Sequence, residues 1–206
     1  MIARTIAIVG AILCVAPAAR AEGGDRVHQG RFLRLATGVA YLRESWSPSS
    51  GTADAVHSGW GPALEVAVGK FVRPRLVIAG SLQLAGIINR DETTLGMTYS
   101  LDDTVHFVDT LSALVDFYPN PQRGLHFGGT LGIAGVTELD THMGGTQTSF
   151  GFAAALHAGY ERFVSKRWSA GGLARIAFHR YGTDTPPPDA TANGLLASLL
   201  LAFTFD

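Results

Sequence analysis

The chain has 206 residues, a formal net charge of −1, 47% apolar residues and 16% charged ones. That length suits one substantial domain, and the balanced charge without a basic run excludes a nucleic-acid partner held by electrostatics. Glycine, at 25 residues, is well above the roughly 7% of an average protein.

The first element is a leader. Met1 to Arg4 carries one positive charge, Ile6 to Ala16 reads "IAIVGAILCVA", and Ala19-Arg20-Ala21 places small residues before Glu22. This is the layout of a secretory signal peptide spanning 1–21, too short to be a spanning helix. Cleavage after Ala21 removes Arg4 and Arg20 and no acid, leaving 14 basic against 17 acidic residues. The only cysteine, Cys14, lies inside the leader, so the mature chain is expected to hold no disulfide and no Cys-based metal site. Ala11-Ile12-Leu13 lacks the small residue expected before a lipidated cysteine. A short segment, 22–30, precedes a single domain at 31–206.

Eight segments of alternating apolar and small or polar residues follow, at the period of a strand. Arg31–Leu42 sets Leu33, Leu35, Val39 and Tyr41 against Arg34, Ala36, Gly38 and Ala40; Ala63–Lys70 sets Leu64, Val66 and Val68 against Glu65, Ala67 and Gly69. Leu76–Ile87 opposes Ile78, Leu82 and Leu84 to Ala79, Ser81 and Gln83, and Val105–Tyr118 opposes Phe107, Leu111, Val115 and Phe117 to His106, Thr110, Ser112 and Asp116. Leu125–Val136 opposes Phe127, Leu131 and Ile133 to His126, Gly128 and Gly132, and Phe150–Arg162 opposes Phe152, Leu156 and Tyr160 to Ala153, His157 and Glu161. Trp168–Tyr181 sets Ile176 and Phe178 against Ser169, Arg175 and His179, and Gly194–Phe205 ends in the greasy "LLLAFTF". Glycine and β-branched residues at this spacing disfavour helix.

Connections alternate in length. Phe71–Arg75, Pro119–Gly124 and Phe163–Arg167 are short and turn-like, whereas Arg43–Pro62, Ile88–Thr104, Thr137–Ser149 and Gly182–Asn193 are long and polar. Pro186-Pro187-Pro188 excludes the last of these from a sheet. Long and short in strict alternation predict an all-β, eight-stranded antiparallel up-and-down barrel whose two ends differ. Volume decides which face is inside: an eight-stranded lumen barely holds its own side chains. The faces bearing Phe107, Phe117, Phe127, Phe150, Phe152, Phe178, Phe203 and Phe205 are too bulky for it, so they point outward, and an outward face that apolar calls for lipid. Tyr41, Tyr160, Trp168 and Phe205 are then expected at the interfacial girdles.

The signal peptide, "YPNPQRGLHFGGTLGIAG" at Tyr118–Gly135 and the alternating aromatic terminus resemble the small eight-stranded outer-membrane β-barrel proteins of Gram-negative bacteria, the OmpA/OmpX/OmpW and opacity-protein-like group. The resemblance covers about Arg31 to Phe205. It implies an N-terminus and short turns in the periplasm, long loops at the cell surface, partners in outer-membrane lipid and lipopolysaccharide, and insertion by barrel-assembly machinery. Such chains typically end in Phe; here Asp206 follows Phe205.

Five charges fall on lumen faces: Arg34, Glu65, Asp116, Glu161 and Arg175. Isolated charge is costly there, so these residues, with His157, are expected to form a hydrogen-bonded network that closes the lumen. His106, His126, His157 and His179 share those faces, but counted along the strands no three share a level and none has HxH or HxxxH spacing, so no metal site is expected. No cofactor motif and no catalytic set is legible: "FHRYGTD" at Phe178–Asp184 lacks the His-x-Ser-Asn arrangement of barrel enzymes that deacylate lipid A. Asp109 sits on an outward face, which suggests the outer headgroup level or a local bulge. Trp46, Trp60 and Tyr99 fall in long connections and mark candidate contacts for an extracellular ligand that the sequence does not name. The expected role is thus non-enzymatic, structural or surface-interacting. A channel for hydrophobic solutes is the alternative, and a lipid A-modifying enzyme the third reading.

Overall fold

A computed structural model describes residues 28–47, 54–140, 146–183 and 190–205. The expected leader, Cys14, most of the 22–30 segment and Asp206 lie outside the described residues. Eight strands run in order: β1 (Arg31–Ser47), β2 (Ala55–Arg73), β3 (Leu76–Thr94), β4 (Met97–Phe117), β5 (Leu125–Asp140), β6 (Thr146–Phe163), β7 (Trp168–Thr183) and β8 (Ala190–Phe205). Each pairs antiparallel with its sequence neighbours, and β1 pairs with β8 from Leu33↔Phe205 to Ser47↔Thr191, which closes the barrel and leaves no edge.

The inside-out assignment follows the exposure pattern. Leu131, Phe150, Leu156 and Ile176 are more than half exposed on the outside, whereas Arg34, Ala40, His126 and Asp116 are fully buried inside. Small residues on the inward faces are what let an eight-stranded wall close around side chains at all. Three of the expected girdle residues have aromatic neighbours: Trp168 meets Phe205 edge to edge at 5.3 Å, and Tyr41 lies tilted against Trp60 at 4.9 Å.

The strands are longer than alternation alone indicated, and the long connections are correspondingly shorter. The connection expected at Ile88–Thr104 is mostly a hairpin, closed by Leu95-Gly96 between the paired Thr94 and Met97. Both turn residues have positive φ, 53° and 78°, the conformation of a tight two-residue hairpin turn, for which Gly96 is well suited and Leu95 is strained. This hairpin overhangs β5, whose pairing with β4 ends at Thr104↔Asp140, while β2 stays paired with β3 up to Ala55↔Thr94; the registers of β2 with β3 and of β3 with β4 shift at Ser58/Trp60 and Ile88/Arg90. Asp109 lies away from these shifts, paired in regular register with Leu84 and Gly135, so no bulge accounts for its outward position.

Candidate functional site

Ionisable groups converge in the lumen, which is built in layers. At the short-turn end His28, Phe32, Phe71, Tyr118 and Phe163 stack into an aromatic floor: His28 lies 4.4 Å from Phe163 and 4.8 Å from Tyr118, ring centre to ring centre. Tyr118 in turn stacks on His126 at 4.9 Å. Above the floor sits a lower network. Arg34 donates from Nε to Glu65 at 2.8 Å and from Nη1 to Asp116 at 2.7 Å, and Arg175 pairs with the second oxygen of Glu65. His126 Nδ1 lies 2.9 Å from Asp116 Oδ2, and His157 Nε2 lies 3.4 Å from the same oxygen. Glu161 accepts from Ser169 at 2.5 Å and from Thr204 at 2.9 Å.

A middle layer follows: Ala36, Ala40, Ala63, Ala85, Leu173, Leu200 and Ala202 pack together. Beside them Gln83, Thr110 and Ser198 line a cavity of about 20 Å³, room for about one water molecule. An upper network fills the far end. Glu44 Oε1 accepts from His179 Nε2 at 2.7 Å and from the Tyr181 hydroxyl at 2.9 Å, and its other oxygen is 3.3 Å from His106 Nε2. Arg90 reaches His106 Nδ1 at 2.7 Å and Glu138 at 2.8 Å. A guanidinium has donors only, so His106 Nδ1 accepts and its proton sits on Nε2, facing Glu44.

Two glycines make these contacts possible. Asp116, Gly128 and His157 stand side by side on β4, β5 and β6, and Glu44, Gly194 and His179 on β1, β8 and β7. In each triplet an acid and a histidine two strands apart meet across the empty centre. A Cβ on Gly194 would collide with His179 Nε2 and lie 2.8 Å from Glu44 Cγ; one on Gly128 would lie 2.8 Å from His157 Nε2. Glycine here is a gap that a side chain would fill, and the barrel's curvature does the rest.

The structure places Arg34, Glu65, Asp116, Glu161, Arg175 and His157 on the inward face, all buried. The histidines fall in two pairs rather than any three at one level: His126 and His157 converge on Asp116, and His106 and His179 on Glu44. Sequence reading missed Glu44, Arg90 and Glu138 because each lies in a stretch taken for loop; only the periodicity carried past Leu42, Ile87 and Val136 could have found them. All three loop aromatics are relocated to strands. Trp46 turns inward and stacks on His57 at 5.6 Å, and Trp60 points outward from β2, 64% exposed, against Tyr41. Tyr99 is exposed on β4, beside Met97 on the overhanging hairpin.

Asp116, His126 and His157 bring ligand-type atoms within 4.8 Å of one another, a set that suits a divalent transition metal by donor type. Arg34 holds Asp116 at 2.7 Å, however, and its fixed positive charge repels a second cation at that carboxylate. The chemistry of the set is that of an ion-paired plug: two guanidiniums, three carboxylates and two histidines.

No family model matches the chain, and no curated protein matches it. Among solved structures it is similar to the outer membrane protein OprG from Pseudomonas aeruginosa, at 12% identity and TM-score 0.53, covering 87% of this chain and 98% of that one. It is likewise similar to Neisserial surface protein A, at 13% identity and TM-score 0.53, covering 84% of this chain and 96% of that one. The chain has the closed, eight-stranded fold of the small outer-membrane β-barrels.

Proposed function

We propose that the chain is an exported, integral outer-membrane protein with a sealed barrel and no enzymatic activity, whose role is structural or surface-interacting. The observation that carries this reading is the filled lumen: aromatic floor, lower network, apolar layer and upper network follow one another, and the cavity between them holds about one water molecule. A sealed interior leaves the outside of the barrel and its ends to do the work. The overhanging β3–β4 hairpin is the part best suited to contact a ligand, because Leu95, Met97 and Tyr99 are 77%, 54% and 52% exposed there. Apolar side chains held out on a paired hairpin are presented at low entropic cost.

Among the described residues neither alternative gains a specific contact. His179, the histidine of the "FHRYGTD" stretch, points into the lumen at Glu44, away from any lipid substrate. The barrel wall is paired all the way round, which supports a sealed wall over a lateral opening.

The test has two parts. The mature chain, taken from an outer-membrane fraction, should migrate differently boiled and unboiled in detergent, as a heat-resistant barrel does; a soluble protein with no shift sinks the membrane assignment. Reconstituted in a planar bilayer it should pass no stepwise current. Regular conductance steps from the wild type would overturn the sealed lumen.

A further inference from the structure

The two rims of the barrel carry opposite charge. At the short-turn end Arg31, Lys70, Arg73, Arg75, Arg123, Arg162, Lys166 and Arg167 are all exposed. No aspartate or glutamate is exposed at that end among the described residues, and none of the eight cations forms an ion pair with a described acid. The hairpin end tips the other way: Asp54, Asp91, Glu92 and Glu138 stand there against the outward Arg43 and Arg180 and the inward Arg90, which pairs with Glu138. With a net charge near zero, the chain has sorted its charges by height, and composition alone conceals it.

The basic rim is also set at a particular depth. Arg162 lies over the ring of Tyr160 at 5.6 Å and donates to its hydroxyl at 3.1 Å, and Arg167 lies 6.0 Å from the ring of Phe205, which packs on Trp168. Tyr and Trp in such belts sit at headgroup level, so the guanidiniums that lie on them reach the phosphate layer, with their alkyl stems along the apolar wall.

We infer that the short-turn rim is a collar that binds anionic phospholipid headgroups in the leaflet it faces. The inference rests on the membrane placement proposed above. The chemistry is specific to that leaflet. Arginine pairs with phosphate through a planar fork, and a ring of unneutralised cations next to a charged surface gains about 1 kcal/mol per Lys or Arg near that surface. The acidic rim has no such affinity for anionic headgroups, so the collar also biases which end settles in an anionic leaflet.

The experiment uses tryptophan quenching by brominated lipid. Two versions of the mature chain are folded into phosphatidylcholine vesicles containing a minor share of phosphatidylglycerol. One, W46F/W60F, keeps only Trp168 at the collar; the other, W46F/W168F, keeps only Trp60 at the opposite end. Brominated phosphatidylglycerol should quench Trp168 about fivefold beyond its bulk share, the equivalent of one engaged cation, and should quench Trp60 no more than its bulk share. High salt, which shortens the screening length to about 3 Å at 1 M, should abolish the excess. The combined variant R31Q/K70Q/R73Q/R75Q/R123Q/R162Q/K166Q/R167Q, which removes all eight cations, should lose it at low salt while still showing the heat-dependent mobility shift. Equal quenching of Trp168 by the brominated forms of both lipids would overturn the collar, as would an excess that persists in the neutralised variant. Absence of a mobility shift in every lipid would remove the membrane placement, and the collar with it.

Discussion

Arg34→Met tests the plug most directly. Arg34 is fully buried and supplies both short bonds that tie Glu65 on β2 to Asp116 on β4, at 2.8 and 2.7 Å. Methionine has about the right length and is unbranched, so the packing loss is small and the change is chiefly electrostatic. Two guanidiniums against three carboxylates become one against three, leaving Asp116 with histidine partners only. Removing one member of a buried ion pair costs about 3–5 kcal/mol. With a urea slope of about 1–3 kcal/mol per molar, the unfolding midpoint should fall by roughly 2 M. The assay is urea titration of the folded barrel in detergent, followed by the heat-sensitive mobility band. Arg31→Met, exposed on the rim of the same strand, is the matched control and should stay within about 0.5 kcal/mol. Adding Asp116→Asn to Arg34→Met should cost less than the two single changes summed, by about 0.5–3 kcal/mol. An Arg34→Met barrel as stable as the control would show that the network contributes nothing to the folded state, and the sealed-lumen reading would lose its energetic basis.

Two further outcomes follow from the same geometry. Gly194→Ala forces His179 off Glu44, a charge-assisted bond worth about 1.5–3 kcal/mol, whereas Gly182→Ala, whose added Cβ meets nothing within 4 Å, should be neutral; equal midpoints would refute the gap role of Gly194. Leu199→Arg places a charge on an outward position that is 57% exposed and should cost about 2–4 kcal/mol in vesicles if it lies near the bilayer midplane. Ser198→Ala, one residue away and facing inward, should cost far less, and the reverse order would invert the barrel.

Alternation made the faces legible because each inward run is small and each outward run is large: Gly128, Thr130 and Gly132 cannot be mistaken for Phe127, Leu131 and Ile133. Strand ends were not legible, because beyond Leu42 the outward residues Arg43 and Ser45 are polar and the inward Glu44 is charged, so the apolar signal stops while the pairing continues to Ser47. Backbone pairing, not hydrophobicity, extends a hairpin above the apolar belt. The site was half legible for a related reason. Arg34, Glu65 and Asp116 could be assigned to one face from sequence, but the meeting of Asp116 with His157 depends on strand tilt and on Gly128 between them, and neither is written in any one strand's periodicity.

The plug also answers why a barrel would bury charge that apolar filler could replace. Buried ion pairs contribute little net stability, but a strand's register decides which face every side chain takes. β1 holds Arg34 and Glu44 inward, β2 Glu65, β3 Arg90, β4 His106 and Asp116, β5 His126, β6 His157 and Glu161, and β7 Arg175 and His179. A one-residue slip in any of these strands turns an ionisable group out to the apolar face and a residue such as Leu35 or Phe127 into a lumen with no space for it. Among alternating, glycine-rich strands that could otherwise pair in several registers, the charges make the wrong ones costly. Only β8 lacks an inward charge; it instead contributes Thr204 to Glu161 and the gap at Gly194, so its register is fixed by its neighbours on both sides as the barrel closes.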